Sequence, residues 1–326
     1  MRNNIFFLLL KRIISSTVVL FILITFLFFL LRLSPGEPYQ KFVSPELSPK
    51  LASLVKESFN LDSSLLVQYK SFLFNLLQGN LGISYTYRIP VIKVISEFFP
   101  FTFIFSIFSF IIQISLAFLL SFVSIKKIKG KLDRTISETT LIIYALPSFV
   151  VGVFLIYIFS VSLHLLPSSG IKSFNSTDFS LFGKISDYIS HMVLPLVTLS
   201  LPFIAEYYKY LRDNIEEVMS MPFIENLRAN GLSENKIMWK HVMPNAISPL
   251  ISIAGVEFGL LFSGALIVEV IFALPGMGRL TVEAIFSRDY PLIVGCTFFS
   301  GLLILFTNLV ADVVKALIDK RLLKGI

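Results

Sequence analysis

The chain has 326 residues, of which 55% are hydrophobic and 34 are phenylalanine, and its mean hydropathy is +0.80. A soluble domain of this size does not need so much apolar surface, so the composition predicts an integral membrane protein whose net charge of +7 belongs to its loops and not to nucleic-acid binding. One cysteine, Cys296, excludes an internal disulfide framework and a cysteine-based metal cluster.

Six apolar stretches are long enough to cross about 30 Å of hydrocarbon at about 1.5 Å per residue. They cover residues 13–31, 98–125, 141–161, 192–211, 247–272 and 291–314. Lys and Arg concentrate at the N-terminus, after the second and fourth stretches, and in the C-terminal tail. The positive-inside rule therefore predicts that both termini are cytoplasmic. The first stretch is longer than a signal-peptide core and no small-residue cleavage site follows it, so we expect a membrane anchor.

Residues 32–97, between the first two stretches, are predicted to form an extracytoplasmic helical segment. Apolar residues recur at helical spacing from Leu51 to Phe59, after Pro49, and a second helix is predicted over Ser64–Leu77. The glycines of Gly79–Gly82 end that helix. We expect both helices to pack on the outer ends of the bundle.

The polar sequence ENLRANGLSENKIMWKHVMP, residues 225–244, lies between two apolar stretches and must be exposed to water at the membrane surface. Pro222 suits the first turn of a helix, and Gly231 suits the left-handed position that ends one. Ser233 is predicted to cap a second helix, its hydroxyl accepting a hydrogen bond from a free backbone N–H. The segment should therefore lie across the end of the bundle as a helix, a break and a second helix that another protein can bind. Trp239 is predicted to pack the second helix under the bundle.

Three features are predicted within the membrane. Glu206 and Lys209 have the spacing to pair on one helix face. Glu257 is a carboxylate near mid-membrane, where it either lines a wet pathway or is protonated or hydrogen-bonded locally and serves packing alone. Gly255 and Gly259 are four residues apart and allow close approach of another helix.

The sequence contains no Walker-type phosphate loop, Gly-x-Ser-x-Gly elbow, His-Glu-x-x-His or Cys-x-x-Cys motif. We therefore expect neither catalytic residues nor a metal site nor a cofactor in this chain. Transport against a gradient then needs an ion couple or a partner that supplies energy, and the exposed polar segment favours the partner. The alternative is a secondary transporter or channel, which should show an internal repeat or paired ionisable groups near the midplane. A receptor or scaffold that signals through its cytoplasmic loop is a third reading.

An ordered series of short motifs runs through most of the chain. It comprises Leu30–Pro38 (LLRLSPGEP), Gly79–Tyr85 (GNLGISY), His191–Pro195 (HMVLP), Glu269–Leu280 (EVIFALPGMGRL), Arg288–Pro291 (RDYP) and Asn308–Asp312 (NLVAD). In content, order and spacing this series resembles the permease subunits of ATP-binding-cassette importers of the dipeptide, oligopeptide and nickel class.

The resemblance makes residues 213–245 the family's coupling loop, with its EAA-type motif. Glu225, Gly231 and Pro244 hold the expected relative positions, whereas Asn226 and Leu227 replace two alanines. An apolar face for an ATPase groove would come from Phe223, Ile224 and Leu227, with Glu225 and Arg228 at its polar rim. The full set of residues that the resemblance assigns to ATPase coupling is Phe223, Ile224, Glu225, Leu227, Arg228, Gly231, Leu232, Ser233 and Pro244.

The resemblance implies an all-α membrane protein of the type I importer permease fold, with six transmembrane helices and a cytoplasmic coupling helix, in a bacterial inner membrane. It divides the chain into four parts. Residues 1–31 form the N-terminal segment with the first span, and residues 32–97 form the extracytoplasmic helical segment. Residues 98–317 form a five-helix permease core, and residues 318–326 form a cytoplasmic tail. Implied partners are a second homologous permease, two ATPase subunits that bind ATP and Mg, an extracytoplasmic substrate-binding protein and membrane lipid. The substrate is a peptide, nickel or a metal chelate. We favour peptides as the commoner substrate, and no His or Cys cluster suits a bare metal ion.

Overall fold

The structure, a computed structural model, describes residues 2–33, 64–125 and 128–318, and the regular elements in these ranges are helices. The α-helices are α1 Arg2–Leu33, α2 Leu65–Leu77, α3 Val91–Ile125, α4 Lys131–Ala145, α5 Ser148–Leu155, α6 Leu181–Met219, α7 Pro222–Ala229, α8 Glu234–Ile237, α9 Met243–Gly264, α10 Leu266–Ile271, α11 Met277–Ser287 and α12 Tyr290–Ile318. Turns of π-helix follow α5 at Ile156–Ser162 and α8 at Met238–Val242, and a 3₁₀ turn covers Phe174–Asp178. The predicted helix over residues 51–59 lies outside the described residues.

Five helical stretches of the described chain are long and apolar enough to cross a membrane. They are Leu10–Leu33, Val91–Ile125, Leu181–Met219, Glu234–Ile271 and Tyr290–Val314. The remaining predicted stretch, 141–161, is not a single helix, because α4 and the helix that starts at Ser148 meet at an angle of 100°. The ring of Pro147 disfavours helical geometry in the residue before it, and Leu146 is extended (φ −85°, ψ 131°). The described residues thus form five membrane-spanning helices, or six when this bent pair is counted as one span, and the predicted class of all-helical membrane protein is confirmed.

Helix α2 forms where the sequence predicts it and packs against α1. The hydroxyl groups of Thr25 and Tyr69 are 2.7 Å apart, and the rings of Phe28 and Phe72 stack with centroids 5.0 Å apart. Gly79 ends the helix region with a φ of +74°, a conformation that glycine adopts without steric cost.

Two glycines join α9 to α12. A Cβ atom on Gly255 would lie 2.1 Å from Cβ of Ala311, and one on Gly259 would lie 2.3 Å from the Thr307 hydroxyl oxygen. The backbones are therefore closer than any side chain allows, which is the close approach that the glycine spacing predicts. At the same helix, Asp312 forms a 2.7 Å ion pair with Arg12 of α1.

The buried apolar side chains form three clusters along the bundle. The one that concerns function joins α6 to the coupling loop, because Leu211 and Ile215 of α6 pack with Ile224 of α7, Ile237 of α8 and Val242. Each of these five side chains is at most 1% exposed. Full burial of a Leu, Ile or Val side chain contributes about 1.5–3 kcal/mol, so this cluster holds the coupling loop firmly to the bundle.

Candidate functional site

The coupling loop has the helix, break and helix that the sequence predicts. Pro222 occupies the first turn of α7, and Gly231 follows that helix with a φ of +76°. The break is closed by backbone bonds from Gly231 N to Arg228 O at 2.9 Å and from Leu232 N to Leu227 O at 3.2 Å. Pro244 then occupies the first turn of α9. The loop is thus a defined turn between helices with its own hydrogen bonds.

The predicted capping role of the Ser233 hydroxyl is wrong. Ser233 does precede α8 in extended geometry, but its side chain makes no capping hydrogen bond. Instead, the Arg228 guanidinium donates to both carboxylate oxygens of Glu234, at 2.7 and 3.2 Å. This exposed pair bridges α7 and α8 across the break, and its hydrogen bonding raises the pKa of Arg228 above the ordinary value.

The apolar residues predicted for the coupling face point in different directions. Ile224 is 0% exposed and belongs to the cluster that faces the chain's own bundle, so its assignment to an outward face is corrected. Leu227 and Leu232 are half-buried against the same cluster. Phe223, by contrast, is 38% exposed, and Glu225 and Arg228 are exposed with it. The outward face of α7 is therefore a phenylalanine between charged residues, and Ile224 is its anchor.

A network that the sequence did not reveal fixes the C-terminal part of α6, next to this loop. The guanidinium of Arg212 donates to both oxygens of Asp133 at 3.1 and 2.9 Å, and Asp133 also accepts from the backbone N–H of Lys129 at 2.8 Å and from Ser124. Asp133 lies in the first turn of α4, within a basic stretch of the sequence, and is 2% exposed. An acidic residue isolated within a basic run was the available signal. Such bidentate pairs fix the relative orientation of the two groups and also stabilise the fold.

Two further contacts tie the loop to the bundle. Asn214 donates its side-chain N–H to the backbone oxygen of Ala246 at 3.2 Å, which joins the ends of α6 and α9. The ring of Trp239 lies on Phe122 of α3 with centroids 5.6 Å apart, as predicted for a residue that packs the second helix under the bundle.

The opposite end of the bundle carries a buried carboxylate clasp, which we define as Glu269, Thr102 and the first turn of α11. Glu269 is 0% exposed and accepts hydrogen bonds from the Thr102 hydroxyl at 2.7 Å and from the backbone N–H groups of Gly278 and Arg279 at 2.6 and 3.1 Å. A Cβ atom on Gly276 would lie 2.2 Å from the carboxyl carbon of Glu269. The glycines thus leave room for a carboxylate at a helix N-terminus, where its charge is stabilised.

A second clasp holds the loop that precedes α3. Asp289 is 0% exposed and accepts from the Ser84 hydroxyl at 2.5 Å and from the backbone N–H of Thr86 at 2.9 Å. The two carboxylates, Glu269 and Asp289, lie within the motifs that carry the family resemblance, whereas their partners Thr102 and Thr86 lie outside them. The sequence alone did not reveal these contacts.

Within the membrane, the predicted pair of Glu206 and Lys209 is absent from the ion pairs of the described residues. Glu206 is instead a neighbour of Glu257 on α9, and Tyr207 also faces Glu257. A cavity of about 680 Å³ between α4 and α6 is lined by Glu206. The described residues contain no group of three or more His, Cys, Asp or Glu side chains that could hold a metal ion.

The chain is similar to known transport proteins over most of its length. Residues 113–324 match the family described as binding-protein-dependent transport system inner membrane component, and residues 5–106 match its N-terminal membrane component. The oligopeptide transport system permease protein AppB of Bacillus subtilis (strain 168) is 33% identical over 90% of this chain and 92% of its own length. The nickel import system permease protein NikB of Staphylococcus aureus (strain USA300) is 28% identical over 93% of this chain and 87% of its own. A solved methionine ABC transporter, MetNI, is 19% identical with a TM-score of 0.47, covering 70% of this chain and 96% of that chain.

The fold and the sequence matches define a multi-pass inner-membrane transport component. The chain belongs to the binding-protein-dependent transport system inner membrane component family and is a permease subunit of an ABC importer. The predicted family and fold class are thereby confirmed, and proteins of this family work with a second permease, ATPases and a binding protein.

Proposed function

We propose that this chain forms, with a second homologous permease, the pathway of an ATP-driven peptide importer. Two ATPase subunits bind ATP and Mg and engage the coupling loop, and an extracytoplasmic binding protein delivers the substrate. The observation that carries the proposal is the exposed face of α7, Phe223 with Glu225 and Arg228, on a helix that Ile224 anchors in the bundle. An exposed aromatic residue within a polar rim is the pattern of an interface hot spot.

The mechanism follows from how the loop is held. ATP closes the ATPase dimer and displaces α7. Because Ile224 packs α7 against α6 and α9, the displacement reaches these two membrane helices. The Asn214–Ala246 bond joins α6 to α9, and the Arg212–Asp133 pair extends the connection from α6 to α4. The bundle then opens outwards, and hydrolysis resets it. In this arrangement both termini are cytoplasmic, residues 98–317 form the core, and 32–97 lie outside. Peptides are favoured as substrate because a 33%-identical relative is an oligopeptide permease.

The test is a mild-detergent pull-down of the intact chain with mass spectrometry of the bound proteins. A second permease and ATP-binding-cassette subunits are the expected result. Recovery of the chain alone, from membranes where it is active in uptake, would instead favour a self-sufficient carrier or channel. A genuine complex should also lose its ATPase subunits when Phe223 is replaced by Asp, whereas Lys236→Asp on the neighbouring α8 serves as the matched control.

A further inference from the structure

Two glutamates meet deep inside the bundle. Glu206 lies 13 residues before the end of α6 at Met219, and Glu257 lies 14 residues after the start of α9 at Met243. At about 1.5 Å per residue, both are about 20 Å from the helix ends that flank the coupling loop. They are therefore at the same depth, and their side chains are neighbours.

Two buried polar atoms of this site are not fully satisfied by hydrogen bonds. Oε2 of Glu257 and the hydroxyl oxygen of Tyr207 are buried and have no hydrogen bond of normal geometry. Tyr207 is 0% exposed and its hydroxyl faces the Glu257 carboxylate. Buried polar groups without partners are costly, and such groups in a native fold call for a ligand or another explanation. Two adjacent carboxylates repel each other when both are ionised, and a positive charge beside them offsets that repulsion.

The cavity between α4 and α6 reaches this site at Glu206, which is one of its lining residues. Six of its eight charged lining residues are already paired, among themselves or with Glu216: Lys129, Asp133, Arg134, Glu138, Arg212 and Asp213. Among the described side chains, the two lining charges without an ion pair are Glu206 and Lys209. An incoming cationic group would therefore meet Glu206, an acidic lining residue that is not in an ion pair. Glu257 lies next to Glu206.

We propose that Glu206 and Glu257, with Tyr207, bind the cationic α-ammonium group of a peptide during its passage through the permease. The inference rests on the proposed function of peptide import. An ammonium group needs only several oxygen acceptors, which the two carboxylates and the hydroxyl supply. A bare divalent cation needs more ligands than two carboxylates, and the described residues contain no such cluster. The site would therefore favour peptides with a free N-terminus over N-blocked ones.

The experiment uses the permease complex purified with its bound subunits but without the binding protein, whose own selectivity would obscure the result. Radiolabelled trialanine is the probe in equilibrium dialysis, and N-acetyl-trialanine is the competitor. We expect trialanine to bind and the acetylated peptide to compete at least about tenfold more weakly, because loss of a charge-assisted contact costs one tenfold step or more. Glu257→Gln and Glu206→Gln should each remove that preference. These near-isosteric changes preserve side-chain shape, and size-exclusion profiles of the complex check its integrity.

Lys209→Gln is the matched control, because it removes a charge from the same cavity wall without removing an acceptor; it should retain the preference for trialanine. Equal competition by both peptides, absence of trialanine binding, or an unchanged preference in both glutamate variants would overturn the inference. The proposed function is tested separately in the same preparations by measuring whether the complex retains its ATPase subunits. A complex that retains its ATPase subunits while failing the peptide test refutes this site alone, whereas a chain without ATPase subunits refutes the importer assignment.

Discussion

The two ends of the bundle hold their polar residues in opposite ways. At the coupling loop, the charged pair Arg228 and Glu234 and the ring of Phe223 are exposed, and Ile224 is the buried residue of α7. At the other end, Glu269 and Asp289 are 0% exposed and each accepts several hydrogen bonds from its own chain. The proposed docking surface thus keeps its charged pair in contact with solvent, whereas the clasps bury their carboxylates inside the chain. Substitutions at the clasps should therefore reduce stability, and those at the coupling loop should reduce coupling.

The largest effect is expected from Glu269→Ala. The change leaves the Thr102 hydroxyl and two backbone N–H groups without their acceptor in a buried site, which should destabilise the protein by about 3 kcal/mol or more. Thermal unfolding in detergent measures it. Glu283→Ala, in an exposed pair with Arg279 on the same helix α11, is the control and should behave like the unmodified protein. Equal unfolding temperatures for the two variants would show that the clasp is not structural.

Asp133→Ala tests whether the Arg212–Asp133 pair, next to the coupling loop, contributes as much to stability as the Glu269 clasp. The change removes the two Asp133 oxygens that accept from the Arg212 guanidinium, but Arg212 keeps Asp213 and Glu216 as partners. We therefore expect a smaller loss, about 1–3 kcal/mol, together with reduced uptake per ATP hydrolysed. Asp213→Ala, which removes one exposed partner of the same arginine, should have little effect on either quantity. A loss as large as that of Glu269→Ala would contradict the contrast between the two ends.

Gly231→Val should affect coupling more than folding. No atom lies within 4 Å of a Cβ placed on Gly231, so the penalty comes from its φ of +76° and amounts to about 1–2 kcal/mol for a β-branched residue. The turn between α7 and α8 should change shape, with uptake lost at equal membrane abundance. Gly231→Asn is the matched variant, because asparagine tolerates this conformation. The prediction fails when valine and asparagine variants transport equally well.

The smallest effect on stability is expected for Phe223→Ala, within about 0.5 kcal/mol, because the side chain is partly exposed and outside the buried cluster. Its effect should appear in retention of ATPase subunits during the pull-down. Ile224→Ala is the informative comparison, because this side chain is fully buried: its main effect should be a lower unfolding temperature. Reversal of these two outcomes would exchange the assigned roles of the face and its anchor.

The sequence predicted the features that depend on local chemistry. Apolar length gave the spans, Pro222 and Gly231 gave the ends of α7, and the glycine spacing gave close packing of α9. It did not predict contacts between distant residues, such as Asp133 with Arg212 or Glu269 with Thr102, because periodicity carries no information about which faces meet. Ile224 was placed outwards for the same reason: an apolar residue on a short helix suits a partner or the chain's own core equally well.

The Ser233 prediction failed because two solutions exist for the same break. A serine before a helix can accept from the backbone, but Arg228 and Glu234 lie close enough in space to bridge α7 and α8 instead. The bend at Leu146 had a clear signal in Pro147, yet apolar content alone made residues 141–161 look like one span.

The glycine contacts between α9 and α12 determine which parts of the permease move together. There is no room for a methyl group at Gly255 or Gly259, so α9 and α12 cannot slide past each other without first separating. We therefore expect the two helices to move as one rigid unit. The ion pair between Arg12 and Asp312 connects α1 to this unit. A push on Pro244 at the base of α9 is therefore shared by three helices at once.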